Sequence, residues 1–221
     1  MGQSRVIAVF GATGAQGGGL VRAILADRER TFAVRAVTRK PDSRQARALA
    51  AAGAEIVAAD LDDGRSVMRA MQGTAGAFCV TNFWDTCSPE RELAQATTLA
   101  ESARLAGVEH VIWSTLEDTR DYLPPNGKVM PVYFQRYNVP HLDAKGAANN
   151  EFIRRGVPLT LLYTSVFWDN FIHFHMGPRV EPDGTLAIEL PLGRRTVRRP
   201  AWTVPVWRSP AIPSGVPCLP P

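Results

Sequence analysis

The sequence predicts an α/β fold, a doubly wound parallel sheet with helices on both faces. Three observations carry that expectation. Apolar runs of strand length alternate with helical patterns from Val6 to Leu162. A glycine-spaced turn joins the first strand pattern to the first helix pattern. Three of the helical patterns stop at a glycine, Gly53, Gly107 and Gly156, as helices that end in a left-handed residue do.

The first strand is Val6-Ile-Ala-Val-Phe10, five apolar residues in a row, which suits a strand buried on both faces. It runs into Gly11-Ala-Thr-Gly14-Ala-Gln-Gly17, and a helical pattern of Leu20, Val21, Ile24 and Leu25 follows. Phe32–Val37 is the second strand, with a helix around Arg44–Ala52. Ala54–Ala58 is the third, and a short helix covers about Gly64–Met71. Gly76–Val80 is the fourth. Ser88-Pro89-Glu90 then starts a helix with a capping hydroxyl, proline at the first helical position and an acid in the first turn. Leu93, Ala96, Ala100 and Ala103 mark its buried face. Val108–Trp113 is the fifth strand. The stretch Glu117–His141 holds four prolines and no clear period; loops of that length are commonly functional or disordered, which makes it a candidate mobile element. A helix over about Ala144–Arg155 and a sixth strand, Leu159–Leu162, complete the pattern. Right-handed crossovers then give the Rossmann strand order 3-2-1-4-5-6, with ligand expected at the carboxyl ends of strands one and four.

Composition narrows the function classes. The three cysteines, Cys79, Cys87 and Cys218, lack metal-ligand spacing and suit a reducing compartment. His173 and His175 have no third ligand near them in sequence, so no metal site is expected. The first apolar run is too short for a secretory signal, and no run reaches the ~18 residues of a membrane span, so a cytoplasmic protein without membrane contact is expected. The net charge of +4 comes from five arginines after Glu189, and the rest of the chain is close to neutral. That balance excludes a basic stripe for specific nucleic-acid binding.

The glycine turn points to a dinucleotide. Gly11 permits the turn, Gly14 lets a backbone approach phosphate, and Gly17 lets the helix pack close to the strand. The helix N-terminus offers N–H groups and the positive dipole end to a pyrophosphate. The end of the second strand meets the adenosine ribose. Here it reads Thr38-Arg39-Lys40, without an acid until Asp42. Arg39 suits a 2′-phosphate, so NADP(H) is favoured over NAD(H). Asp60 and Leu61 are expected near the adenine, with Asp62 or Asp63 as a helix cap. Thr81, Asn82 and Phe83 follow the fourth strand, on the ribose and nicotinamide side.

In order along the chain, Val9–Gly17, Val37-Thr-Arg39, Asp60–Asp63, Thr81-Asn-Phe-Trp84, Ser114-Thr-Leu-Glu117, His141–Gly146 and Phe167–Phe171 resemble the NmrA-like family, atypical members of the short-chain dehydrogenase superfamily. The resemblance covers about residues 5–192 and is strongest to redox sensor proteins that bind NADP(H). It implies an NAD(P)-binding Rossmann domain over 5–170 and the start of a small, incomplete substrate or partner subdomain over 171–192. The phosphate loop would be Gly11, Ala12, Thr13, Gly14, Ala15 and Gln16. Arg39 matches the 2′-phosphate position, Thr81, Asn82 and Phe83 the cofactor turn, and Lys145 a lysine at the nicotinamide ribose. Phe167, Trp168, Asp169 and Asn170 match a loop over the nicotinamide.

Short-chain dehydrogenases use a tyrosine as proton donor, with a lysine four residues later. Lys145 and a helper hydroxyl, Ser114, are present, but His141 stands at the tyrosine position. Histidine donates protons near neutrality, yet Pro140 before it suggests a loop end, and a cap or surface role is favoured for His141. Ser114, His141 and Lys145 are the catalytic candidates, and the missing tyrosine favours a regulator with a protein partner over an NADPH-dependent reductase of small carbonyl or quinone-like substrates.

From about Gly193 the character changes to Arg194-Arg-Thr-Val-Arg-Arg199 followed by recurring prolines. This composition predicts a disordered Pro/Arg-rich tail over 193–221, where family members continue with further helices and strands. A lost reading frame or a fragment end is the expected origin of that difference. A proline-rich partner-binding segment is the competing reading.

Overall fold

A computed structural model describes residues 5–165, 167, 170–171, 177–180, 182–184 and 186–187. The expected Trp168 and Asp169, the histidines at 173 and 175 and the tail over 193–221 lie outside the described residues.

Five parallel pairings build a six-stranded sheet in the order β3-β2-β1-β4-β5-β6, as the sequence predicts. The strands are β1 (Arg5–Val9), β2 (Phe32–Thr38), β3 (Glu55–Ala58), β4 (Gly76–Cys79), β5 (His110–Thr115) and β6 (Leu159–Tyr163). The helices between them are α1 (Ala15–Ala26), α2 (Arg44–Ala51), α3 (Gly64–Met71), α4 (Pro89–Leu105) and α5 (Pro140–Ile153).

Side-chain alternation along each strand divides the core between the two faces of the sheet. Ala8 and Phe10, Val37, and Ala77 and Cys79 pack with Val67 and Met71 of α3, Leu99 of α4 and Phe152 of α5. Val9, Val34 and Ala36, and Phe78 pack with Val21 of α1 and Leu49 of α2. Both faces are therefore covered, which is why these strands read as continuous apolar runs.

Three helices close the same way. After α2, α4 and α5 a glycine takes a positive φ: Gly53 at 107°, Gly107 at 68° and Gly156 at 67°. The next residue then donates back five positions: Ala54 to Leu49 O, Val108 to Ala103 O and Val157 to Phe152 O. This paired closure satisfies helix-end carbonyls and tucks a buried apolar residue under the last turn. It also explains why the fifth strand begins at His110 and not at Val108: Val108 belongs to the closing turn of α4.

The start of α5 differs from expectation by four residues. Pro140 occupies its first turn, and the wholly buried Asp143 accepts hydrogen bonds from the backbone N–H groups of Asn138, Val139 and Thr119 and from the Thr119 hydroxyl. His141 therefore stands in a helix first turn, not at a loop end. The stretch before it is fastened at both ends by Asp143 and along its length by Asn138, whose amide donates to Leu123 O at 2.6 Å. Only its middle is open, with Val129 75% exposed.

The chain divides into two compact units, the described residues through Thr164 and those from Ser165. In the second, β7 (Arg179–Val180) pairs antiparallel with β8 (Leu186–Ala187). Among the described residues no helix is long and apolar enough to cross a membrane.

Candidate dinucleotide site

Strand order places the expected site residues at one edge of the sheet. The loop Gly11–Gln16 leaves the carboxyl end of β1, Arg39 that of β2, Asp60 and Leu61 follow β3, and Thr81–Phe83 follow β4. Because β1 lies between β2 and β4, the loop has Arg39 on one side and Thr81–Phe83 on the other.

Glycines stand where the turn has no room for a side chain. Gly11 has a φ of +64°, and a Cβ there would lie 2.8 Å from Val80 Cγ1. A Cβ on Gly17 would sit 2.4 Å from Gly11 O and 2.8 Å from Phe10 O, both fixed backbone atoms. The Gly14 N–H donates to Gly11 O at 2.9 Å and closes the turn. Gly14 also caps α1, and it contributes no side-chain acceptor. The caps of α2, α3 and α4 all contribute one: Ser43, Asp63 and Ser88 accept from Ala46, Arg65 and Arg91. No acid stands in the first turn of α1. Among the described residues, this helix start alone combines a bare cap, no nearby carboxylate of its own and a glycine cradle, the features an anion requires.

Around the loop, three cross-links tie the expected residues to one another. Ser114 donates to Gln16 Oε1 at 2.6 Å, which joins β5 to the loop. Arg39 Nη2 lies 2.6 Å from Asp85 Oδ2, and the amide of Asn82 donates to Asp85 Oδ1 at 2.7 Å. Lys145 donates to Thr81 O at 3.0 Å and Thr81 Oγ1 at 2.8 Å, and its Nζ stands 2.9 Å from Glu92 Oε1. Thr81 Oγ1 in turn donates to Glu92 Oε1 at 2.5 Å. The three ammonium protons of Lys145 thus have three internal acceptors. Burial pushes the Lys145 ammonium below its ordinary pKa, and the Glu92 carboxylate beside it acts in the opposite direction.

Asp63 is the cap of α3. Asp62 instead binds the guanidinium of Arg91 and the amide of Gln95, and the Arg91 hydrogen bonds hold its carboxyl below the usual range. Leu61 packs against the core. Phe83 is buried and meets Trp84 edge-on at 5.5 Å. His141 stacks at a tilt on Trp84 at 4.9 Å between ring centroids. Burial lowers the His141 pKa. The packed ring replaces the cap or surface role expected of it. Phe83, Trp84 and His141 line an apolar cavity of about 250 Å³ with Met130, Tyr133 and Val139. Phe167 is 46% exposed and accepts from the Asn170 N–H at 2.9 Å; both belong to the second unit. Among the described residues, no three His, Cys, Asp or Glu side chains gather to hold a metal ion.

Two residues here escape a reading of the sequence. Glu92 announces itself only as an acid in the first turn of a helix, and Asp85 as a charge in a β-α turn. Their importance comes from which cation each meets across the fold.

Fold and loop together define a doubly wound α/β domain of the Rossmann class. The NmrA-like family model matches residues 3–203, and the chain belongs to that family. It is 40% identical over 114 residues to the NmrA-like family domain-containing oxidoreductase FrzB of a Cladobotryum species, covering 50% of this chain and 33% of that protein. Crystal structures of NmrA, a negative transcriptional regulator, in complex with NADP and with NAD are each 26% identical, with a TM-score of 0.64, over 84% of this chain and 53% of theirs. The Citrobacter triphenylmethane reductase complexed with NADP(H) shares the fold at 19% identity and a TM-score of 0.59, over 77% of this chain and 52% of its own. The chain thus spans about a third to a half of the length of these relatives.

Proposed function

We propose that this chain binds NADP(H) at the Gly11–Gln16 loop and acts as a redox-sensing regulator. The residues fit the group: a tight glycine cradle, a helix start without a capping side chain and an arginine at the end of β2 match pyrophosphate and 2′-phosphate chemistry. Gly11–Gln16 would hold the pyrophosphate, Arg39 the 2′-phosphate, and Thr81–Phe83 and Lys145 the nicotinamide side. NmrA complexes with NADP and with NAD support a dinucleotide as the ligand. When bound, the nicotinamide supplies two-electron hydride chemistry.

One observation favours regulation over turnover. Two of the three positions that would carry proton transfer are engaged inside the protein: Lys145 with Glu92 and Thr81, and Ser114 with Gln16. A dinucleotide then changes the protein by its different affinity for two arrangements of these links. A partner protein would read that change.

The oxidoreductase reading draws on FrzB and related oxidoreductases and on the apolar cavity beside His141, which suits a flat carbonyl or quinone-like substrate. Mixing the protein with NADPH and a panel of quinones and aldehydes separates the two. The regulator reading predicts binding without loss of reduced-nicotinamide absorbance. Sustained loss, abolished by Lys145→Met, would establish the reductase instead.

A further inference from the structure

Arg39, the residue that would greet a 2′-phosphate, already has an anion. Asp85 ends the 3-10 turn Phe83–Asp85 after β4, and its two carboxylate oxygens are held from opposite sides, by Arg39 and by the Asn82 amide. The link runs from the end of β2 to the turn after β4, across the end of β1 where the glycine loop emerges. A second guanidinium, that of Arg91, is bound to Asp62.

We propose that Asp85 sets the balance between NADP(H) and NAD(H), holding Arg39 against the 2′-phosphate. The inference rests on the dinucleotide reading above. A 2′-phosphate must take the guanidinium from Asp85 or lie beside a second negative charge. A 2′-hydroxyl makes neither demand and can donate to the carboxylate. Asp85 thus acts as a built-in competitor for the group that distinguishes the two cofactors.

The test is calorimetric titration of the full chain with NADP+ and NAD+, comparing wild type with Asp85→Asn and Asp85→Ser. The pair is partly exposed, at 55% for the arginine side chain and 36% for the aspartate, so both variants are expected to fold. Removing the charge should tighten NADP+ binding about three- to fivefold, the scale of an exposed ion pair, and change NAD+ binding less than about twofold. Raised salt should shrink the gain, because the competition is screened. Equal shifts for both cofactors, or no shift with binding intact, would overturn the role of Asp85 alone. Absence of binding by either cofactor to the wild type would overturn the dinucleotide reading and this proposal with it.

Discussion

Lys145 and Glu92 form a buried ion pair, with Nζ 2.9 Å from Oε1 and side-chain exposures of 11% and 1%. Neither charge has water to fall back on. Glu92→Ala leaves an ammonium without its counterion inside the protein, and about 3–5 kcal/mol of stability should be lost. Urea unfolding at neutral pH measures it. The double change Glu92→Leu with Lys145→Met should recover most of the loss, since two apolar side chains make no such demand. A single Glu92→Ala that unfolds like wild type would show the pair to be solvated.

Gly17→Ala tests the glycine loop. Its Cβ would meet two backbone oxygens at 2.4 and 2.8 Å, which a rotamer change does not relieve. A loss of about 1–3 kcal/mol in thermal or urea unfolding is expected, together with weaker dinucleotide binding. Gly14→Ala is the comparison: its nearest contact is 3.2 Å, so its effect on stability should be smaller.

Much of this architecture is legible in the sequence, for reasons that particular residues show. Ser88-Pro89 marks the start of α4, and Gly53, Gly107 and Gly156 mark helix ends, because caps and left-handed residues are local requirements. The strand order follows from handedness rules that act on any such alternation. The start of α5 was not legible, because the carboxylate that caps it, Asp143, lies inside the helix and serves Asn138 and Val139 before it. The glycine loop and Arg39 could be placed from the fold alone. Glu92 and Asp85 could not, since their partners are 53 and 46 positions away and are met only across the sheet edge.

Asp143→Ala should be among the most damaging single changes in the first unit. It removes the acceptor from three backbone donors and the Thr119 hydroxyl. Each buried donor left without a partner costs about 1–3 kcal/mol, so a loss above about 3 kcal/mol is expected in urea unfolding. Hydrogen exchange should quicken at Thr119, Asn138 and Val139 together.

His141 contributes an acid-side slope to stability. Burial holds its folded-state pKa below the ordinary 6.5, so the unfolded chain binds more protons between the two values. Stability from this group is full above pH 6.5 and falls as the pH drops through that window. His141→Phe keeps a ring beside Trp84 and should flatten the slope of thermal midpoint against pH below 6.5. An unchanged slope would mean that His141 titrates alike in both states.

The central claim is that the Gly11–Gln16 loop and Arg39 hold a phosphorylated dinucleotide. Calorimetric titration with NADP+, NADPH, NAD+ and NADH, repeated with Arg39→Asp, tests it directly. The account predicts saturable NADP(H) binding that Arg39→Asp weakens by about tenfold or more, the scale of a charge-assisted contact turned to repulsion, with NAD(H) binding changed far less. Absence of heat with all four, or NADP(H) affinity untouched by Arg39→Asp, would contradict it.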